Sequence, residues 1–310
     1  MSNTAPNTAP NTGRAELNLP DEAFAAVVAA HVPGARFQRA SRLTGGVSAE
    51  VYRLDCVAEG GATRSLVLRI HGPHHNGHPA ALEFGILQAV TGLGICAPRA
   101  LALDESLGLI PYRFLLLDHL EGETAAPADP ADSRIVRIAE ALAQIHSARV
   151  TGLPALPSRD DPLPEVFDYL PKGPAFEALR QGLSRLGDTG HKGAPALLHG
   201  DFWPGNLLWR GQELVGILDW EDAAVGDPLS DVACTALELR YVVGPEGAEH
   251  FLRAYDNLRP IPRQRLALWQ IYVAAAGQHS MAAWGLAPAR EAHMRATALA
   301  VIEDAAALVR

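Results

Sequence analysis

Three side chains in the second half of the chain have the types and the order that handling a phosphate requires. The run His199-Gly200-Asp201-Phe202-Trp203-Pro204-Gly205-Asn206 reads H-x-D-x-x-x-x-N, and Ile217-Leu218-Asp219-Trp220-Glu221 follows it. An aspartate such as Asp201 can orient an attacking hydroxyl and receive its proton. Asn206 and Asp219 offer the hard oxygen ligands that Mg²⁺ takes when it bridges nucleotide phosphates. Between them, Leu207-Leu208-Trp209 and Leu214-Val215-Gly216-Ile217-Leu218 flank Arg210-Gly211-Gln212-Glu213, the pattern of a β-hairpin. Such a hairpin returns Asp219 to the side of Asn206, which gives the spacing a structural reason. The competing reading is that the two aspartates only cap turns, and it requires H, D, N and D to fall in order by accident.

These residues need a frame, and the pattern of the chain supplies one. Residues 1–13 repeat Asn-Thr-Ala-Pro and hold nothing to bury, so a disordered tail is expected there. A short helix is expected from Asp21, with Phe24, Val27 and Val28 inward. Strands are expected over Arg36–Leu43 and Ser48–Val57 around the turn Thr44-Gly45-Gly46-Val47, and over Ser65–Ile70, where Leu66, Leu68 and Ile70 alternate with the other face. Ala80–Val90 reads as a helix, and Arg99–Leu103 and Arg113–Leu117 as two more strands. The remainder is mostly helical: Asp132–Ser147, Ala175–Leu186, Leu229–Val242, Ala248–Asn257, Arg263–Trp284 and Pro288–Val309. Pro228, Pro262 and Pro288 sit near helix starts, where a missing N–H is tolerated.

The ordered set HGDFWPGNLLW…GILDWEDAAVGDP resembles the aminoglycoside phosphotransferase and choline kinase superfamily, small-molecule kinases related in fold to protein kinases. The resemblance runs from about Arg36 to the C-terminus. It implies an α+β, two-lobed fold: a five-stranded lobe with one main helix over 14–117, and a mostly helical lobe over 118–310. It implies ATP and Mg²⁺ as cofactors, with Asp201 catalytic and Asn206 and Asp219 on the metal. The phosphates are expected under Gly45, Gly46 and Ser48. Val67 lies against the adenine, and Arg69 stands where the family carries a lysine. Arg keeps the charge and forks onto phosphate oxygens, but its planar head cannot take the lysine's pose. Glu83 is the expected partner of Arg69, and the backbone from Asp118 to Leu120 is expected at the adenine edge. His199 and Asp231 are expected to brace the catalytic loop, with Asp227 capping the helix that follows.

Only Trp220 to Val225 separate Asp219 from Gly226, too few residues for the activation loop on which a protein kinase holds a polypeptide. The acceptor is therefore expected to be a small molecule with a hydroxyl. Trp203, Glu238, Tyr241, Trp269, Tyr272, His279 and Trp284 are the candidates to line its pocket, although aromatic residues at helical spacing usually belong to the core. The histidines of the loop HGPHHNGH read as an exposed polar loop rather than a metal site, and His146 as a packed residue.

A net charge of −9 argues against a nucleic-acid partner. No apolar run reaches membrane-spanning length, and no signal peptide opens the chain, so a cytoplasmic enzyme without a membrane partner is expected. Cys56, Cys96 and Cys234 lie far apart and suggest neither a disulfide frame nor a zinc site. Two other classes compete with the kinase. One is a catalytically inactive nucleotide-binding module, which Arg69 invites; the other is a scaffold, for which no heptad or interaction tail is visible.

Overall fold

The computed structural model describes residues 17–43, 49–73, 75 and 77–309. The tail and the turn carrying Gly45, Gly46 and Ser48 lie outside them. The chain divides into two compact units between Glu121 and Gly122.

The first unit holds α1 (Asp21–His31), β1 (Ala35–Leu43), β2 (Glu50–Ala58), β3 (Thr63–His71), α2 (Ala80–Gly92), β4 (Ala100–Asp104) and β5 (Arg113–Asp118). The five strands form one antiparallel sheet in the order β1-β2-β3-β5-β4. Alternation along β3 decides what each face meets. Leu66, Leu68 and Ile70 are fully buried with Leu54, Phe114 and Leu116 against Phe24, Val27 and Val28 of α1. The opposite face carries Val67, Arg69 and His71, in register with Leu117, Leu115 and Arg113. There α2 supplies Glu83, and a polar cluster is built into an apolar layer.

The second unit contains β6 (Glu123–Thr124), α3 (Arg134–Ser147), β7 (Ser158–Arg159), α4 (Leu163–Tyr169), α5 (Pro174–Ser184), β8 (Ala196–Leu198), β9 (Leu207–Arg210), β10 (Glu213–Ile217), β11 (Ala224–Gly226), α6 (Leu229–Val242), α7 (Pro245–Leu258), α8 (Arg263–Ser280) and α9 (Pro288–Ala306). The expected hairpin is β9–β10, with β6 at the edge of β9; β11 runs parallel to β7 and antiparallel to β8. α8 packs against α4, α6 and α9 around Ile271, Ala274, Ala275, Met281, Ala298 and Ile302.

Several boundaries differ from the sequence expectation for local reasons. α3 starts at Arg134 because Asp132 turns its carboxylate onto the Arg134 N–H (2.9 Å). α8 stops at Ser280; Met281–Trp284 tightens into a 3₁₀ turn and Gly285 at φ 66° ends it. α4, seven residues among prolines, escaped pattern reading altogether. Among the described residues no helix is long and apolar enough to cross a membrane.

One polar anchor ties α6 to α8. The fully buried Asp227 accepts the Leu229 N–H at the start of α6 (3.0 Å), the indole N–H of Trp269 (2.6 Å) and Arg265 Nε (2.5 Å). Trp269 is thus a core anchor and not the pocket wall that its aromatic character suggested. Trp269→Phe removes one donor from a buried carboxylate and is expected to cost about 1–3 kcal/mol. Urea unfolding measures it, and an unchanged midpoint would show that Asp227 does not depend on the indole.

Candidate active site

The loop that follows β8 is held from behind by Asp231 in the first turn of α6. This buried carboxylate accepts the backbone N–H of His199 (2.7 Å) and of Gly200 (3.0 Å). Its third neighbour is His146 of α3, whose Nε2 lies 3.3 Å away while Nδ1 lies 2.6 Å from the Tyr255 hydroxyl of α7. Burial opposes ionisation of Asp231, but the hydrogen bond and charge of His146 outweigh it and hold the carboxyl below the usual range. Thr235, one turn along α6, donates to Phe202 O (2.7 Å), and Arg159 of β7 donates to Gly200 O (3.3 Å). Gly200 has φ 88°, and a Cβ there would sit 2.0 Å from Asp222 O, so no side chain fits this approach.

On this support stand Asp201, Asn206 and Asp219. Asn206 donates its amide to both Asp201 O (3.0 Å) and Asp201 Oδ2 (3.1 Å), which turns its own Oδ1 away as an acceptor. The Leu218 N–H returns to Asn206 O (2.8 Å), so the hairpin brings the residue before Asp219 directly onto Asn206. Asp219 itself has φ 62°, a left-handed conformation that costs a non-glycine residue energy and persists only where the surroundings impose it. His199 locks the two segments together. Its Nε2 lies 2.9 Å from Leu218 O, and Nδ1 accepts the Asp201 N–H (3.3 Å). Burial holds its imidazole below the usual range, so the neutral ring with hydrogen on Nε2 satisfies both contacts.

Burial first, then the charges of Asp219 and Asp222, push Asp201 up to about 7, with the Asn206 hydrogen bond opposing them. Asp201 and Asp219, half-buried, and the exposed Asp222 stand close enough together to call for positive charge. One carboxylate and one amide oxygen suit Mg²⁺, which takes few protein ligands and completes its shell with water and phosphate. Among the described residues no group of three or more His, Cys, Asp or Glu side chains is placed to hold a metal ion by itself.

In the first unit, Arg69 lies 2.8 Å from Glu83 Oε1 through Nε, the expected pairing. A second base shares that carboxylate: His71 Nε2 lies 2.9 Å from Glu83 Oε2. This corrects the reading of the histidine-rich segment as wholly exposed, since His71 is buried on the α2 side of the sheet. Burial raises Glu83, but the neighbouring charges of Arg69 and His71 prevail and hold it low. Val67 lies on the same face two positions before Arg69. The Asp118 carboxylate is occupied by Arg64 (2.7 Å) and Arg99 (2.9 Å), and its N–H by Arg99 O (2.9 Å). Leu120 is half-buried.

The acceptor candidates separate into groups. Trp203 lies flat over Gly205, where a Cβ would come within 2.1 Å of the ring. Tyr272 donates to Glu165 (2.6 Å) and stands edge-on to Trp269 and Tyr169, with His279 exposed beside Tyr169. Glu238 and Tyr241 share a face of α6, and Trp284 lies with Tyr241 beside Gly277. His146, Arg159 and Thr235 were not foreseen as parts of this site, because each reaches it through tertiary contact and no local pattern marks them; Asp222 lies only three residues after Asp219 and was passed over. His146→Phe takes a donor from Asp231, and a loss of about 1–3 kcal/mol is expected. Thermal unfolding reads this, and an unaltered melt would remove His146 from the support.

The chain is similar to known proteins in sequence and in fold. The chain is 28% identical over 180 residues to acyl-CoA dehydrogenase family member 10 of Mus musculus, covering 52% of this chain and 17% of that protein. It is 27% identical over 175 residues to viomycin phosphotransferase of Streptomyces vinaceus, covering 48% of this chain and 58% of that one. It thus spans less than two thirds of either relative. An aminoglycoside phosphotransferase APH(4)-Ia variant, solved in ternary complex with ADP and hygromycin B, shares the fold at a TM-score of 0.61 and 16% identity, covering 91% of this chain and 97% of the other. Residues 39–269 match the phosphotransferase enzyme family (APH), and the chain belongs to it.

Proposed function

We propose that the protein transfers the γ-phosphate of MgATP to a hydroxyl of a small molecule. The observation that carries this reading is the joint placement of Asp201 and Asn206, on a loop fixed by the buried Asp231, with Asp219 at the end of the β9–β10 hairpin. That set has an acid/base group and oxygen ligands, and structural duty alone does not require both. The viomycin phosphotransferase relative and the solved ADP complex support it.

Asn206 Oδ1 and the Asp219 carboxylate would hold the metal. A Mg²⁺ ion held there would supply positive charge against the phosphate. Asp201 orients the acceptor hydroxyl and takes its proton late, because the transition state for phosphoryl transfer is loose. Asn206 fixes the rotamer of Asp201 through Oδ2, leaving Oδ1 to the acceptor. Arg69, held by Glu83, supplies a permanent positive charge for phosphate in the first unit. A small acceptor is favoured because β11, pinned between β7 and β8, begins only a few residues after Asp219 and leaves no platform for a polypeptide.

ADP release with MgATP across a panel of hydroxyl acceptors tests the proposal. Acceptor-dependent release is expected, and Asp201→Asn should cut turnover by roughly 10²–10⁴-fold, the usual worth of a positioned acid/base group. A loss below about tenfold in a folded variant would sink the role of Asp201. Tight Mg²⁺-dependent ATP binding with no acceptor would favour the inactive nucleotide-binding module.

A further inference from the structure

The histidine-rich segment that ends β3 and leads into α2 bears on the pair of Arg69 and Glu83. His71 is the last residue of β3, and the alternation of the strand sets it on the face of Val67 and Arg69. Its side chain is 5% exposed and that of Glu83 is 2%, so both are cut off from bulk water. The following loop closes over the imidazole. The His75 ring lies on it with centroids 3.9 Å apart, and His75 Nε2 sits 2.7 Å from His78 O. α2 then begins at Ala80, and its first turn carries Glu83. Strand, loop and helix together present one imidazole to one carboxylate.

The contacts around that carboxylate are unevenly made. Arg69 Nε spans both oxygens, 2.8 Å from Oε1 and 3.2 Å from Oε2. His71 Nε2 lies 2.9 Å from the same Oε2, yet it is buried and makes no aligned hydrogen bond among the described residues. Buried polar atoms are nearly always paired. A nitrogen at bonding distance but off line therefore marks a bond that a slightly different setting of the same groups completes. A small turn of the Glu83 carboxylate is enough: it gives Oε1 to Arg69 and brings Oε2 into line with the imidazole. Burial, against the opposite pull of Glu83, holds His71 below its usual range, so the ring is neutral at neutral pH. With its hydrogen on Nε2 it donates to Oε2, while Glu83 keeps its charge for Arg69.

We propose that His71 is a positioning residue for Arg69: the Glu83 carboxylate turns slightly, His71 Nε2–H takes Oε2, and the guanidinium is left on Oε1 in one plane. A guanidinium is a planar fork, so it must be held in its plane as well as in its position. A carboxylate that is free to swing holds only the position. His71 acts through Glu83 and meets no reacting atom, and the stacked His75 ring keeps the imidazole from turning away. The inference rests on the phosphotransfer reading for the phosphate that Arg69 meets. The contact of His71, Glu83 and Arg69 lies within the first unit and stands without that reading.

Two measurements on the full chain test the parts separately. The first follows the Arg69 Nε–H by NMR with isotope-labelled arginine and no nucleotide, the signal being identified by its loss in Arg69→Lys. His71→Phe keeps a ring beneath His75 but removes both nitrogens, and exchange of that hydrogen with solvent should quicken by about tenfold. His71→Gln places an amide nitrogen about where Nε2 lies and should stay within about threefold of the native rate. His71→Leu serves as a second variant without nitrogens, and thermal melts check that each is folded. The second measurement is MgATP affinity. His71→Phe should weaken it by roughly 5- to 20-fold and His71→Gln restore it to within about threefold. In a Glu83→Gln background, His71→Phe should add less than about twofold, because the residue acts through Glu83. An unchanged Arg69 exchange rate in His71→Phe, or the same loss in His71→Gln, overturns the proposal. MgATP affinity that survives His71→Phe within about twofold overturns it too and leaves phosphotransfer standing. Exchange that responds as expected in a chain that binds no MgATP keeps the positioning and counts against phosphotransfer.

Discussion

The buried Asp231 carboxylate is the contact on which the rest of the site hangs. An ionised group without water is expensive, and it persists only when donors surround it. Here two are backbone N–H groups of the loop after β8, and the third comes from His146, itself held by Tyr255. The same charge therefore gathers α3, α6, α7 and the loop after β8 at one point. Its cost is also its value: if the loop drifts, the carboxylate loses donors, so the loop has one favourable position. Asp201 inherits that position.

A second constraint acts from the front. The β9–β10 hairpin has the same hydrogen-bonding problem as any two-stranded ribbon, and β6 at the edge of β9 helps to stabilise it. Once formed, it fixes Leu218 against both Asn206 O and His199 Nε2. The left-handed backbone at Asp219 follows from this, because the chain must turn out of β10 immediately while both neighbours are tethered. The candidate metal ligands are thus placed by backbone contacts on either side of them, and the side chains have little freedom left to lose.

Much of this was legible in the sequence because it is local. Alternation of Leu66, Leu68 and Ile70 against Val67 and Arg69 told which face of β3 would carry the arginine. The apolar runs either side of Arg210–Glu213 told that Asp219 would come back to Asn206. Asp227 before Pro228 announced a helix start. What stayed hidden depends on contacts distant in the chain. His146 looks like any packed histidine at the end of an apolar helix, and only folding brings it to Asp231. Arg159 sits in a two-residue strand, too short to leave a pattern. Trp269 and Tyr241 are both aromatics on helices, yet one spends its polar atom on Asp227 and the other has no partner among the described residues. His71 misled because its neighbours are polar, while the parity of β3 turns it inward.

That parity bears on the arginine at position 69. A lysine reaching phosphate needs its ammonium oriented by a carboxylate, and one oxygen of that carboxylate suffices. A guanidinium is wider and must be held in its plane as well as in its position. Arg69 Nε lies 2.8 Å from Glu83 Oε1 and 3.2 Å from Oε2, and His71 Nε2 lies 2.9 Å from the same Oε2. Two bases on one acid keep that acid ionised despite its burial, and so keep a counter-charge ready for the guanidinium whatever phosphate is near. Burial holds the His71 imidazole below its usual range, and its Nε2 lies 2.9 Å from Glu83 Oε2 without an aligned hydrogen bond. The histidine thus adds to what keeps Glu83 ionised, and an ionised Glu83 is what holds the wider guanidinium head in place.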